Sequence, residues 1–345
     1  MERLDRKAAS KLDALISGAS RIALVSHTRP DGDAAGCCAA LSSFISGFYG
    51  DKSTIVLDNA AADAVAFVLE GHKVLYFDSD REAAEQCLRS AGLIFCLDVS
   101  SPSRTGGPES LIRSSNAPKI LIDHHLSPEE EAFDMVISSI NVSSACELLY
   151  KSLKAMPQID GDFGKLPLSC LSALMTGLTT DTNNFANSVF PDTFITASEL
   201  IAAGVDREAI LSHIYNEYRE NRIRLTGRLL SREMRITDNG VAYIVLSDEL
   251  GRQYDIRSGE LEGLVNMPLG IKSVRMSIFV REDDGFLRVS VRTKRGTSAN
   301  ALCVKYFHGG GHELASGGKL FIGQDVADIG DTAAYIEKVT SEFFR

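Results

Sequence analysis

Histidine and aspartate side chains concentrate at four places in this 345-residue chain, each at the end of an apolar stretch. These places are "SHTRPDGDAAG", "LIFCLDVS", "KILIDHH" and "MTGLTTDTNNF", and their candidate metal ligands are His27, Asp31 and Asp33; Asp98; Asp123, His124 and His125; and Asp181. Carboxylates and imidazoles without thiolates suit divalent manganese, magnesium or cobalt better than structural zinc. Aspartates gathered within about 4–6 Å raise each other's pKa unless cations lie between them. The set contains more ligands than one ion can use. It fits two ions, about 3.5–4 Å apart, that share a carboxylate and a hydroxide.

Any one of these segments, taken alone, would be an ordinary acidic turn, so the metal hypothesis requires that all four converge. Six short apolar runs are predicted strands: residues 21–27, 53–58, 73–78, 93–100, 119–125 and 134–139. Their apolar residues are consecutive, which is typical of strands buried on both faces of a parallel sheet. Helical segments such as 34–48 and 79–90 lie between them, which predicts a doubly wound α/β domain. Ligands of such sheets collect outside the carboxyl ends of the strands.

The pattern changes after this domain. Residues 191–204 begin with a proline and stop at a glycine, as a capped helix does, and residues 206–236 read as one long charged helix interrupted near Gly227. Four further strands are predicted at 241–247, 273–280, 286–292 and 318–322, with a hairpin signal at Asp283-Asp284-Gly285. We therefore predict a metal-binding domain over 1–190, a helical linker over 191–235 and a smaller α+β domain over 236–345.

Composition narrows the functional class. The formal net charge of −10 argues against binding long nucleic acid, which requires a broad basic face. Seven cysteines without any C-x-x-C spacing indicate reduced thiols rather than a disulfide framework. The N-terminal segment lacks the apolar core of a signal peptide, and no stretch approaches the ~20 apolar residues that span a bilayer. The sequence thus predicts a cytoplasmic protein with no membrane partner.

The motifs resemble those of the DHH phosphoesterase family, which is named for the triplet found here at residues 123–125. The family pattern S-H-x-x-P-D-G-D-A-x-G is matched from Ser26 to Gly36, and the resemblance extends over about the first 190 residues. It implies that one metal is held by His27, Asp31 and Asp98, and that the second is held by Asp33, Asp98, His124 and Asp181. It also implies that Asp98 bridges, that Asp123 orients the histidines, and that His125 contacts the scissile phosphate and assists the leaving oxygen.

The C-terminal third contains "VSVRTKRGTSANALCVKYFHGGGHELASGG", which crowds Arg288, Arg292, Lys294 and Arg295 together ahead of three glycines. The basic residues are either a solvated hairpin edge or an anion site, and the glycines can form a loop whose N–H groups approach an anion. The G-G-G-H sequence resembles the domain that accompanies DHH domains in the oligoribonuclease and nucleotide-phosphatase branch. By that resemblance the residues that hold a phosphate or the end of a short nucleotide chain, in a cleft between the domains, are Arg292, Asn300, Gly310, Gly311 and His312. Thr293 replaces a serine common in the family.

The function expected from this resemblance is hydrolysis of very short RNA from one end, releasing mononucleotides, and dephosphorylation of adenosine 3′,5′-bisphosphate (pAp). The cofactors would be two divalent ions, Mn²⁺ first, with Mg²⁺ or Co²⁺ as alternatives. A phosphodiesterase for cyclic di-AMP or linear pApA needs the same motifs and stays open. A non-catalytic nucleotide sensor would be expected to lack a ligand, and none is missing. A homodimer also stays open.

Overall fold

The first half of the chain forms a parallel sheet in the computed structural model, which describes residues 4–257, 259–283 and 285–345. The chain divides into two compact units, the first ending at Glu217 and the second beginning at Tyr218. The strands of the first unit are β1 (Ile22–Val25), β2 (Ser53–Leu57), β3 (Val74–Tyr76), β4 (Leu93–Leu97), β5 (Lys119–Asp123) and β6 (Met135–Ser138). Its helices are α1 (Arg6–Gly18), α2 (Gly32–Tyr49), α3 (Asp63–Ala66), α4 (Arg81–Arg89), α5 (Glu109–Ser114), α6 (Ala145–Lys154), α7 (Leu168–Asp181), α8 (Pro191–Ala202) and α9 (Arg207–Tyr215).

The sheet order is β3-β2-β1-β4-β5-β6, and every neighbouring pair is parallel. Strands β2 and β3 therefore lie on one side of β1, and β4, β5 and β6 lie on the other. The boundary between β1 and β4 is the topological switch point, where open α/β sheets bind ligands. Alternate residues of β4 enter different cores, since Phe95 belongs to one apolar cluster and Cys96 to the other. Both faces are buried, which confirms the doubly wound fold predicted from the consecutive apolar runs.

Helices α2 and α7 pack unusually closely because glycines face the contact. A Cβ at Gly36 would lie 2.6 Å from the carbonyl oxygen of Ala173, and a Cβ at Gly177 would lie 2.7 Å from Oδ1 of Asp33. Cβ atoms essentially never lie so close to another heavy atom, so larger residues would push the helices apart. This contact brings the C-terminal end of α7, where Asp181 lies, close to the N-terminal end of α2.

The predicted long helix over residues 206–236 is wrong. Helix α9 ends at Tyr215, α10 runs over Glu220–Arg228, and a π-helical turn follows at Leu229–Glu233, so that Gly227 lies inside α10. The break has a packing cause. Ile214 of α9 is buried in the core of the first unit, whereas Leu225 of α10 is buried in a cluster of the second unit.

The second unit contains a mixed six-stranded sheet. Its elements after α10 are β7 (Arg235–Ile236), β8 (Val241–Leu246), α11 (Asp248–Gln253), β9 (Met276–Asp283), β10 (Phe286–Thr293), α12 (Ala299–Tyr306), β11 (Gly310–Gly311), β12 (Ala315–Leu320) and α13 (Thr332–Phe343). The order is β11-β12-β10-β9-β8-β7, with β8 and β9 parallel and the other pairs antiparallel. The predicted hairpin joins β9 to β10, where Asp283 pairs with Phe286, and Asp284 lies outside the described residues.

Shorter helical turns complete the two units. The 3-10 turns are Phe67–Leu69, Pro102–Thr105, Glu130–Ala132, Phe163–Lys165, Leu264–Gly270 and Ile329–Asp331. A membrane-spanning helix is not found within the described ranges, since none of the helices combines sufficient length with a sufficiently apolar sequence.

Gly36→Ala should destabilise the protein by about 1–3 kcal/mol, because the added methyl group meets a backbone oxygen that cannot move without shifting α7. Urea unfolding gives the measurement. Gly227→Ala is the matched control, because no atom lies within 4 Å of its Cβ position and the change should stabilise the helix by about 0.5–1 kcal/mol. Equal stability of the two variants would contradict the close α2–α7 contact.

Candidate metal centre

The loop after β1 delivers the first three candidate ligands. Asp31 is the N-cap of α2, and its Oδ1 accepts hydrogen bonds from the backbone N–H groups of Asp33 (3.0 Å) and Ala34 (3.1 Å). Nδ1 of His27 lies 2.9 Å from the carbonyl oxygen of Thr28, which can accept its hydrogen. Such a bond fixes the tautomer in which Nε2 carries the lone pair that a metal requires. Nε2 of His27 lies 3.9 Å from Oδ1 of Asp31.

Asp98 lies at the centre of the cluster. It follows β4 directly, in a left-handed backbone conformation with φ of 52°, and its N–H donates to the carbonyl oxygen of Ile122 (2.9 Å). Its Oδ2 lies 3.4 Å from Nε2 of His27, and its Oδ1 lies 3.5 Å from Nε2 of His124. The two oxygens of one buried carboxylate therefore face two different imidazoles.

The remaining ligands meet on the Oδ1 side of Asp98. Nε2 of His124, which follows β5, lies 3.8 Å from Oδ2 of Asp33 and 3.6 Å from Oδ2 of Asp181, the last residue of α7. The structure thus brings together all six predicted metal ligands. They form two groups, each with ligand atoms within 4.8 Å of one another: His27, Asp31 and Asp98, and Asp33, His124 and Asp181.

The donor set fits divalent cations. Oδ1 of Asp98 is buried and accepts no hydrogen bond from any described residue, although buried carboxylate oxygens are ordinarily satisfied. It faces the second group of ligands, where a cation would satisfy it. Oxygen and imidazole donors match Mn²⁺, Co²⁺ or Mg²⁺. The buried thiols of Cys37 and Cys146 also have their sulfur atoms within 4.8 Å of a carboxylate oxygen of Asp33, and burial raises the pKa of both.

Burial, and after it crowding, sets the electrostatics of this site. Burial raises the pKa of Asp33 to about 6, and the neighbouring Asp31 carboxylate adds to the rise. Burial also holds the pKa of Asp98 well above its usual range, with further contributions from Asp33 and Asp31. Positive charge placed among these carboxylates would offset their mutual repulsion.

His125 is bound differently from His124. Its Nδ1 lies 2.7 Å from Oδ1 of Asp123 and 3.6 Å from Oδ1 of Asp98. Burial by itself would raise the pKa of Asp123, but the hydrogen bond with His125 and the charges of both histidines lower it. Asp123 and His125 therefore form an oriented pair beside the two ligand groups.

Sequence reasoning missed the residues that hold Asp33. Its Oδ2 accepts a hydrogen bond from the N–H of Ala145 (2.6 Å) and its Oδ1 from the N–H of Cys146 (2.9 Å), at the N-terminus of α6. The first N–H groups of a helix have no partner within the helix, so a carboxylate placed there is well bound. The signal in the sequence is the capping pattern Ser144-x-x-Glu147, which marks a helix start.

The second unit brings several of its predicted substrate residues together. Oδ1 of Asn300, in α12, accepts a hydrogen bond from the N–H of Gly311 (2.9 Å). The N–H of His312 donates to the carbonyl oxygen of Ala315 (2.9 Å), and Ala315 pairs across the strands with Arg292. Adjoining elements thus carry the predicted substrate residues Arg292, Asn300, Gly310, Gly311 and His312.

One prediction for this region needs correction. The glycines form a short strand rather than an open loop, since Gly310 pairs with Gly317 and a Cβ at Gly309 would collide with the Gly317 carbonyl oxygen. Two of the four basic residues have polar partners. Arg288 is ion-paired with Asp283 (2.8 Å), and Nζ of Lys294 donates to the carbonyl oxygen of Ile271 (2.8 Å).

Comparison with known proteins identifies the family. The model of the DHH family N-terminal domain matches residues 21–178, and that of the DHHA1 domain matches residues 238–336. The chain belongs to the DHH family of phosphoesterases. The two domain models of this DHH protein fall in different structural units, which are the units that hold the acidic cluster and the G-G-G-H segment.

Relatives of this DHH protein match it over most of its length. The bifunctional oligoribonuclease and PAP phosphatase NrnA of Bacillus subtilis is 26% identical over 319 residues, which are 90% of this chain and 93% of that protein. The protein of the same name from Thermus thermophilus is 25% identical over 304 residues, covering 87% and 84% of the two chains. An exopolyphosphatase-related protein of Bacteroides fragilis has a crystal structure with a TM-score of 0.90 and 30% identity, covering 99% of this chain and 98% of that one.

Asp98→Asn should stabilise the metal-free DHH protein, and the gain should be larger at pH 8 than at pH 5. A carboxyl whose folded-state pKa lies above its unfolded value of about 3.9 stabilises the fold at low pH and loses that contribution as the pH rises through the folded pKa. The asparagine side chain does not ionise, so it avoids this loss. Urea unfolding of both proteins in chelator at the two pH values gives the measurement. A stability difference that is the same at both pH values would contradict the crowding of charge at Asp98.

Proposed function

We propose that this chain is a metal-dependent phosphoesterase that hydrolyses very short RNA oligonucleotides, releasing mononucleotides, and dephosphorylates pAp. The observation that carries the proposal is the position of Asp98, whose two oxygens face the two ligand groups on opposite sides. A carboxylate placed in this way can bridge two cations. Both relatives named NrnA match this chain across both domains, which supports the same pair of activities here.

In the proposed site His27, Asp31 and Asp98 would hold one cation, and Asp33, Asp98, His124 and Asp181 would hold the other. Mn²⁺ is our first choice, because two imidazoles among the ligands favour it over Mg²⁺, and Co²⁺ is the alternative. Two bound divalent ions lower the pKa of a water molecule and offset the charge that develops on the phosphoryl oxygens.

The Asp123–His125 pair supplies the group that meets the leaving oxygen. Asp123 engages Nδ1 of His125 at 2.7 Å and so fixes the plane and rotation of the ring. We therefore assign Nε2 of His125 to the scissile phosphate and the leaving oxygen. Asp123 acts through the histidine, as an orienting residue.

Binding of the rest of the substrate falls to the second unit. We propose that Arg292 and His312 contact a phosphate of the substrate, together with the backbone of Gly310 and Gly311. Asn300 positions the glycine segment, since its Oδ1 accepts a hydrogen bond from the N–H of Gly311.

Two other functions make different predictions. A phosphodiesterase for cyclic di-AMP or pApA would use the same residues, so only substrate turnover separates it from the leading proposal. A nucleotide sensor would bind pAp without hydrolysing it. The presence of a complete ligand set in two groups favours an enzyme over a sensor.

A turnover assay with Mn²⁺ should show hydrolysis of pAp and of 2–5-residue RNA, and little hydrolysis of RNA of about 20 residues. pApA and cyclic di-AMP belong in the same assay. Asp98→Asn should reduce all of these rates to those of the chelator-treated protein, because the bridging carboxylate is lost. Turnover of cyclic di-AMP alone would favour the phosphodiesterase, and binding without turnover would favour the sensor.

Arg292→Ala should raise the KM for pAp about 10–100-fold, with a smaller effect on kcat. Loss of a hydrogen bond to a charged group costs about 1.5–3 kcal/mol, which corresponds to that range. The matched control is Arg288→Ala on the same strand, because that guanidinium is occupied by Asp283 and should leave the KM within about twofold. If both variants leave the KM unchanged, the basic residues of this strand are a solvated hairpin edge and not an anion site.

A further inference from the structure

A fully buried carboxylate outside the proposed ligand set, that of Glu147, lies in the first turn of α6. Its Oε2 accepts three hydrogen bonds: from the N–H of Ser143 (2.9 Å), from Oγ of Ser143 (2.6 Å) and from Oγ1 of Thr193 (2.8 Å). Its Oε1 lies 2.6 Å from Nζ of Lys151. The side chain therefore ties Ser143, which precedes the N-cap of α6, to the first turn of α8.

The turn that Glu147 holds is the turn that binds Asp33. Ser143 and Ser144 lead directly into Ala145 and Cys146, whose N–H groups donate to the two oxygens of Asp33 at 2.6 and 2.9 Å. Ser144 is the N-cap, and its Oγ accepts from the N–H of Glu147 (3.0 Å). In the usual capping box the glutamate returns to the N–H of the N-cap residue. Here it bonds to Ser143, one residue earlier, and so fixes the approach of the chain to the helix.

Stability alone is a weak reason for a charge at this position. Desolvating an ion pair costs about as much as its attraction returns, and well-packed apolar residues often replace such pairs without loss. A geometric requirement is a stronger reason. A metal ligand must lie within about 0.2 Å of its ideal distance, and the groups that orient ligands commonly contribute 10–100-fold to metal affinity.

We infer that Glu147 is a positioning residue that fixes the N-terminus of α6 and, through it, the carboxylate of Asp33 for the cation bound by Asp33, His124 and Asp181. The inference rests on the proposed metal site and adds a residue that is not one of the six proposed ligands. It also links α8, through Thr193, to the geometry of that site.

Glu147→Gln tests this directly, because glutamine keeps the shape and an accepting oxygen but removes the charge and presents an NH₂ group toward Lys151. Titration of the folded protein with Mn²⁺, followed by calorimetry and by electron paramagnetic resonance, should show one of two dissociation constants raised about 10–100-fold and the other unchanged. The kcat for pAp should fall, while its KM stays within about twofold.

The matched control is Glu199→Gln. Glu199 also joins α8 to α6, since its carboxylate accepts hydrogen bonds from Oη of Tyr150 (2.6 Å) and from Nζ of Lys154 (2.7 Å). Tyr150 and Lys154 lie further along α6 than the Ser143–Cys146 turn, so this variant tests the α6–α8 connection away from that turn. The control should lose stability to a similar extent and keep both Mn²⁺ dissociation constants. Thr193→Val removes one donor to Glu147 and should give a smaller change of the same sign, which covers the case that Glu147→Gln fails to fold.

Wild-type Mn²⁺ affinities in both Glu147→Gln and Thr193→Val would overturn the inference, as would an equal loss of affinity in Glu199→Gln. The proposed function fails separately. If the wild-type protein itself bound no Mn²⁺ or turned over no substrate, the metal site would be refuted, and with it the role of Glu147.

Discussion

Burial of several carboxylates at one place, with the repulsion among them, is the constraint on which this site depends. Asp33 and Asp98 are buried with Asp31 close by, and their pKa values are raised first by burial and then by the neighbouring carboxylates. A protein stable by about 5–15 kcal/mol can hold such a cluster only if other contacts fix it or if cations neutralise it. Contacts in the surrounding structure fix the cluster, and the oxygen and imidazole donors of the cluster are suited to binding cations.

The backbone fixes the cluster by bringing the ends of several elements to one place. Strands β1 and β4 are parallel neighbours at the switch point of the sheet, so the residues that follow them lie next to each other. Glycines in α2 and α7 allow a close helix contact that brings Asp181 to the same point. The N-terminus of α6 then binds Asp33, so that backbone N–H groups orient this carboxylate. A site assembled from rigid ends requires little rearrangement when it binds ions.

The parts of this arrangement that could be predicted are those that depend on residues adjacent in the sequence. Consecutive apolar residues predicted each long strand of the first sheet, and strand-end histidines and aspartates predicted the residues that the structure brings together. The break between α9 and α10 could not be predicted, because it depends on which core each half of a uniformly charged segment enters. The pairing of Gly310 with Gly317 and the bond between Cys146 and Asp33, 113 residues apart in the chain, are likewise set by tertiary contacts. Glu147 reads in the sequence as a helix cap, and only its bonds to Ser143 and Thr193 connect it to the site.

The central claim is that Asp98 lies between two cations. Crystals of the wild-type protein grown with Mn²⁺ and measured on both sides of the manganese absorption edge test it most directly. We expect two anomalous peaks about 3.5–4 Å apart, one on each side of the Asp98 carboxylate. A single peak that leaves Oδ1 of Asp98 without a ligand, or peaks remote from this carboxylate, would contradict the account.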